Sequence, residues 1–416
     1  MNLIRVAHFV QRYPPALGGS EAYFARLSRS LVDCGEAVRV FTTNAIDLEA
    51  FWTRRGRSLP GGHSIEDGVE VHRYPLWRFP GKRWVCKVLS IFPLRTWQCL
   101  CMAHNPIAPG MWRDAGRADA TFDIVHATAF PYGWPLACGL RLARTLNVPF
   151  LLTPFVHTGD PDDPQDRTRR GYLQPALLSL AHAAARVFVQ TGIEREALIA
   201  AGVKEQKIIV QGLGVDPSEC IGGNRLATRQ RWNSGEEMVV GHLANNSVEK
   251  GTIDLLEAAS RAWSTGARFR VVLAGPEMTN FRRFWTSYPD AGRVLRLGVL
   301  SEEQKRDFFS AIDVFALPSR SDSFGLVLLE AWANGVANVG YRAGGIAGVL
   351  RHEEDGLLVR CGDLEALAAA LVRLETDVPL RQRLGAKGRE RALTDFRWQD
   401  KLDLVHSTYQ SLALKK

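Results

Sequence analysis

The sequence predicts an α/β protein of two parallel-sheet domains, and three observations carry that prediction. Its 416 residues exceed what one ordinary α/β core holds. Short apolar runs of strand character alternate with helix-like segments along the whole length, the rhythm of repeated βαβ units. Midway, Gly212-Leu213-Gly214-Val215-Asp216-Pro217 and the irregular stretch after it break the rhythm, as a linker does.

The rhythm opens with a strand over residues 4–10, a Gly/Pro loop, a helix over 20–34 stopped by Gly35, and a strand over 38–42. Further strands are predicted at 124–126, 150–153, 187–190 and 208–210, giving a parallel sheet for a first domain of residues 1–211. A second sheet is predicted from 238–243, 269–274, 294–297, 314–317, 337–340 and 357–359, in a domain of residues 212–392. Ser301-Glu302-Glu303-Gln304 is a capping box that starts one of its helices. In residues 393–416, Trp398, Leu402, Val405, Tyr409 and Leu412 recur at helical spacing, so a terminal helix is expected to cross back onto the first domain.

Composition narrows the function classes. No stretch reaches the roughly 18 unbroken apolar residues of a membrane span, and the start lacks a signal-peptide layout, so a cytoplasmic protein is expected. The seven cysteines are odd in number and lack Cys-x-x-Cys pairs, which argues against a disulfide framework and a zinc site. The net charge of +8 is concentrated: residues 73–117 hold eight Arg and Lys against Asp114 alone, interleaved with Trp77, Trp84, Trp97 and Trp112. Basic residues among amphipathic aromatics suit an anionic lipid surface, whereas the plain alternative is a solvated insert. Nothing points to nucleic acid.

The most informative stretch is Asp322-Ser323-Phe324-Gly325-Leu326-Val327-Leu328-Leu329-Glu330, which follows a buried strand and opens a helix. A helix N-terminus there can hold an anion, with Gly325 allowing close backbone approach and a carboxylate on either side for sugar hydroxyls. Two acids eight positions apart are ordinarily solvated charges. This pair, however, is followed by Ala331-Trp332-Ala333-Asn334-Gly335 and by Ala343-Gly344-Gly345-Ile346, and with that context the chain resembles the retaining glycosyltransferases of family 4, which have the GT-B fold and a signature of acid, seven residues, glutamate.

The resemblance covers nearly the whole chain and implies two Rossmann-like domains facing an interdomain cleft. It implies that Asp322 contacts the transferred sugar, that Glu330 holds the donor ribose, and that Phe324, Gly325 and Leu326 lend backbone N–H groups to sugar and diphosphate. Gly18 and Gly19, in Pro14-Pro15-Ala16-Leu17-Gly18-Gly19-Ser20-Glu21 after the first strand, look like the glycine-rich loop that closes on donor and acceptor. Lys250, in Gly241-His242-Leu243-Ala244-Asn245-Asn246-Ser247-Val248-Glu249-Lys250-Gly251, matches the lysine that neutralises the leaving diphosphate, with His242 where the family has arginine. Gly298 and Val299 resemble the loop that holds the nucleotide base. His157, after the strand at 150–153, is a further candidate catalytic residue beside Lys250 and Asp322. Three positions depart from the family pattern: Asp322 for glutamate, His242 for arginine, and Thr128 for a histidine. His126 reads as a satisfied core histidine.

The resemblance implies a nucleoside-diphosphate sugar as donor, a glycan or lipid-linked acceptor, and no metal or other cofactor. Two other classes stay open. The three departures allow a weakened sugar-nucleotide-binding scaffold, and the architecture allows a nucleotide-sugar epimerase. A dehydrogenase is disfavoured, since no Gly-x-Gly-x-x-Gly follows the first strand.

Overall fold

The computed structural model describes residues 3–117 and 121–414, and the chain divides into two compact units. The first comprises Met1–Val156, Arg169–Gln211 and Leu402–Lys416; the second comprises His157–Thr168 and Gly212–Lys401. The short segment His157–Thr168 thus belongs to the second unit although it lies among first-unit residues in sequence, which the division at 211 does not anticipate.

The first unit carries eight strands: β1 (Arg5–Val10), β2 (Ala37–Thr43), β3 (Gly62–Glu66), β4 (Val69–Tyr74), β5 (Ile124–Ala127), β6 (Phe150–Leu152), β7 (Arg186–Val189) and β8 (Ile208–Val210). Their order is β3-β4-β2-β1-β5-β6-β7-β8, all parallel but for the antiparallel pair β3–β4. That hairpin is the departure from the expected all-parallel sheet. It turns on Asp67 and Gly68, both at positive φ, in the backbone geometry that matches the twist of paired strands.

The second unit carries β9 (Met238–Leu243), β10 (Phe269–Ala274), β11 (Val294–Arg296), β12 (Val314–Leu317), β13 (Ala337–Tyr341) and β14 (Gly356–Val359), in the parallel order β11-β10-β9-β12-β13-β14. Strands buried on both faces explain the near-continuous apolar runs, such as the fully buried Val314 to Leu317. In each sheet the strand order reverses at one place, between β1 and β5 in the first and between β9 and β12 in the second. Ligands of open α/β sheets bind beyond the carboxyl ends of the strands at such a reversal.

The last helix, Trp398–Ala413, belongs to the first unit from Leu402 onward. Tyr409 anchors it there. Its hydroxyl lies 3.2 Å from His8 Nε2 and 2.6 Å from His126 Nδ1, and all three side chains are fully buried. His126 Nε2 is bonded to Thr153 Oγ1 at 2.8 Å, so this histidine is a satisfied core residue. Among the described residues no helix is long and apolar enough to cross a membrane.

Candidate functional site

At the reversal of the second sheet, the loop after β9 carries Lys250 and the loop after β12 carries Asp322. Lys250 Nζ lies 2.6 Å from Asp322 Oδ2, with both side chains partly exposed. Two close approaches hold the loops in place. A Cβ on Gly251 (φ +71°) would sit 1.8 Å from the Pro318 carbonyl oxygen, so only glycine lets the Lys250 loop lie against the other. The Gly345 N–H donates to the Asp322 carbonyl at 2.7 Å, and a Cβ on Gly345 would meet the Ser323 carbonyl at 2.0 Å.

Charge in this corner is balanced in favour of ions. Burial alone would raise the Asp322 pKa, but Lys250 and His157 outweigh it and hold the carboxyl below the usual range. His157, in the second unit, places Nδ1 2.9 Å from Ser321 Oγ. Burial pushes its pKa down to about 4 despite the attraction of Asp322, so the imidazole is neutral at pH 7.

Glu330 lies in the second turn of the helix Leu326–Ala333. Its Oε1 accepts from Lys305 Nζ at 2.6 Å, while its Oε2 is buried with no hydrogen-bond partner among the described residues. Burial raises the Glu330 pKa, and Lys305 opposes this only in part. A desolvated carboxylate oxygen without a donor is costly unless a ligand hydroxyl satisfies it. Gly325 sits at φ +87° as the residue before that helix; the Leu328 N–H donates to the Gly325 carbonyl at 2.9 Å, and the N–H groups ahead of it have no acceptor within the helix.

Two residues expected to contact the donor are engaged by the scaffold. His242 does not face a diphosphate: its side chain is fully buried, Nδ1 donates to the Ala316 carbonyl at 2.7 Å, and Nε2 lies 2.9 Å from Thr252 Oγ1. Because a carbonyl only accepts, the ring carries its proton on Nδ1, and burial holds its pKa down to about 4. A neutral histidine tied to scaffold at both nitrogens cannot replace an arginine. Phe324 likewise spends its N–H on Asp322 Oδ1 at 3.3 Å, and its ring is buried against Phe396. The Gly298 carbonyl (φ +70°) accepts from the Gly275 N–H at 2.6 Å, while Val299 beside it is exposed.

In the first unit, Gly18 and Gly19 follow β1 at that sheet's own reversal and start the helix Gly19–Asp33. Beneath them lies a buried ion pair, Arg12 Nη2 to Glu21 Oε1 at 2.6 Å, and Arg12 also donates to the carbonyls of Leu17 and Ile46. A Cβ on Gly18 would sit 2.2 Å from Glu21 Oε2, whereas one on Gly19 would meet nothing within 4 Å. A side chain at Gly18 would therefore push the Glu21 carboxylate from its place beside Arg12, whereas Gly19 leaves open space. Thr128 is fully buried and donates to the Thr153 carbonyl at 2.8 Å, a structural bond.

Both halves of the chain match known families. The family described as "Glycosyl transferase 4-like domain" matches residues 18–214, and "Glycosyl transferases group 1" matches residues 224–391. The chain belongs to glycosyltransferase family 4.

Its relatives include the D-inositol 3-phosphate glycosyltransferase of Stackebrandtia nassauensis, 27% identical over 94% of this chain and 86% of that protein. The sulfoquinovosyl transferase SQD2 of Arabidopsis thaliana is 25% identical over 99% of this chain and 74% of its own length. Among solved structures, Anabaena HepE, crystallised with UDP and glucose, superposes with a TM-score of 0.73 at 18% identity, covering 98% of this chain and all of that one. The likeness establishes the GT-B fold for this glycosyltransferase.

Sequence reasoning missed four residues at these sites. Lys305 is the partner of Glu330, and its signal was a lysine on the capping-box helix. Arg12 and Glu21 flank the glycine loop at a spacing that a buried pair can close. Ser321, next to Asp322, is the partner of His157.

Proposed function

We propose that this family 4 glycosyltransferase moves a sugar with retention from a nucleoside-diphosphate sugar to a glycan or lipid-linked acceptor, working at the cytoplasmic face of a membrane. The observation that carries the reading is Lys250 beside Asp322 at the β9–β12 reversal, with Glu330 eight positions on presenting an unsatisfied carboxylate oxygen.

When the bond from the anomeric carbon to the leaving phosphate oxygen breaks, positive charge grows on the sugar ring and negative charge on the diphosphate. Lys250 and the N–H groups at Gly325 and Leu326 would take the diphosphate charge, so this step calls for no metal. Asp322 and His157 would contact the transferred sugar, and Glu330 Oε2 would accept from a ribose hydroxyl. The acceptor oxygen attacks the face that the phosphate leaves, and its proton passes to the departing phosphate oxygen. A neutral His157 suits this route, since no strong side-chain base is then needed. Val299, with Gly298, would lie along the nucleotide base.

The test is incubation with a panel of UDP-, GDP- and ADP-sugars, with product configuration read by NMR. Free nucleotide and an α-configured product from an α-linked donor, both lost in Lys250→Ala, are expected. Binding without turnover would leave a scaffold, and an isomerised sugar with no free nucleotide would leave an epimerase.

A further inference from the structure

We propose that His63, Glu70 and His72 form a binding site for one zinc-class divalent ion at the edge of the first sheet, on residues that the proposed transfer chemistry does not use. The hairpin register sets His63 of β3 directly opposite His72 of β4. Glu70 lies two residues before His72 and so shares its face, because side chains alternate along a strand. Each residue offers one ligand atom, and the three atoms lie within 4.8 Å of one another, the one such group among the described residues.

The cluster is built in the manner of a metal site. Two imidazoles and a carboxylate are the ligand set of open tetrahedral zinc sites, with solvent in the fourth position. Glu70 is oriented from behind: Arg39 Nε donates to its Oε2 at 2.8 Å, leaving Oε1 toward His72 Nε2 at 2.7 Å. Carboxylate ligands held by such outer partners bind better than free ones. The rings of His63 and His72 stand edge to face with centroids 3.8 Å apart. Bonds of about 2.0–2.2 Å at tetrahedral angles place ligand atoms roughly 3.4 Å apart, so the exposed His63 would swing inward by roughly 1.4 Å at most and His72 would draw back slightly from Glu70.

An ion there would take the position of the proton shared by His72 and Glu70 and would cross-link the edge strand β3 to β4. The ligands select among ions: imidazole suits zinc, cobalt, nickel and copper, whereas magnesium and calcium require a cage of oxygens.

Untagged full-length protein, stripped with chelator, would be titrated with Co²⁺ and followed by the visible d–d absorption of a four-coordinate ion. One Co²⁺ per chain, displaced by Zn²⁺ and indifferent to excess Mg²⁺, is expected. His63→Gln and Glu70→Gln should each weaken binding at least about tenfold, while in His63→Gln circular dichroism and the metal-free melting temperature stay as in the parent, since His63 is exposed on an edge strand. Unchanged Co²⁺ affinity in His63→Gln, or a thiolate charge-transfer band abolished by Cys34→Ser, would overturn the proposal.

Discussion

Lys250 Nζ and Asp322 Oδ2 are 2.6 Å apart, so the cation that would neutralise a leaving diphosphate is already paired with the carboxylate that would face the sugar. The shorter aspartate, in a family that has glutamate there, thus holds the lysine in place before any donor arrives. Lys250→Ala is expected to lower kcat/KM by about 10²–10³, the usual cost of losing one charge-stabilising group. Asp322→Asn should lower kcat while donor affinity holds or rises, because Lys250 is freed for the diphosphate. Steady-state kinetics with donor binding by calorimetry separates the two. Equal donor affinity in wild type and Lys250→Ala would argue against a phosphate role.

Glu330 is expected to act in binding rather than chemistry. Its Oε2 is desolvated in the absence of a partner, whereas Oε1 is secured by Lys305. Glu330→Gln should raise the donor KM about tenfold, or about 1.4 kcal/mol, with kcat nearly unchanged, the pattern of lost uniform binding. The same variant should bind a 2′,3′-dideoxyribose nucleotide as the parent does, since the hydroxyl partners are gone in both cases.

Three buried histidines and the half-buried His157 make the protein acid-sensitive. His8, His157 and His242 are held neutral by burial, with pKa values down to about 3, about 4 and about 4, and His126 is shifted the same way by burial and by His8. Each pKa lies below its unfolded value of about 6.5. The unfolded chain therefore binds more protons below that pH, so stability is full above about 6.5 and is lost as pH falls toward 4. Urea midpoints at pH 7, 5.5 and 4.5 should decrease in that order. No activity pKa near 6.5 should arise from His157, and a pH–rate profile with an inflection there, absent in His157→Asn, would count against its neutrality.

Tyr409 joins the last helix to β1 and β5 through His8 and His126. Tyr409→Phe removes one hydroxyl and leaves two buried ring nitrogens unsatisfied. The expected loss is about 1–3 kcal/mol, read by urea denaturation, with hydrogen exchange accelerated first in the Trp398–Ala413 helix.

The two sheets and the Asp322–Glu330 segment were legible because buried parallel strands leave apolar runs and the motif is local in sequence, whereas the strand order within each sheet was not. What was not legible depends on distant partners. His242 occupies the position expected of a cation, but Ala316 and Thr252 decide that it is a core residue. The β3–β4 hairpin had a signal in Asp67-Gly68, yet it falls outside the βαβ rhythm that organised the reading. In the basic window the ordinary arrangement would be lysine outward and tryptophan inward. The structure inverts it: in the helix Lys82–Leu89, Lys82 is buried with Nζ donating to the carbonyls of Phe51 and Asn105, while Trp84, Val85 and Val88 are exposed. Only those two acceptors, contributed by other segments, make that inversion possible.

That inversion supplies the physical case for membrane contact. Trp84, Ile91, Phe92 and Leu94 are 74%, 77%, 61% and 66% exposed, and exposed apolar surface, where contiguous, marks interaction sites. Arg83, Lys87 and Arg95 lie among them, and no acidic residue occurs from 71 to 113. An apolar patch ringed by cations matches an anionic bilayer, where each basic residue near the surface contributes about 1 kcal/mol. The protein is therefore expected to float with vesicles containing phosphatidylglycerol and to remain behind with purely zwitterionic ones. Trp84→Ser with Ile91→Ser should reduce flotation at all salt concentrations, whereas Arg83→Gln with Lys87→Gln should reduce it mainly at low salt, because only the electrostatic part is screened. Since Lys82 is buried, Lys82→Met is expected to affect folding stability rather than lipid preference. Flotation independent of both lipid charge and these substitutions would remove the membrane from the proposed function and leave a soluble acceptor.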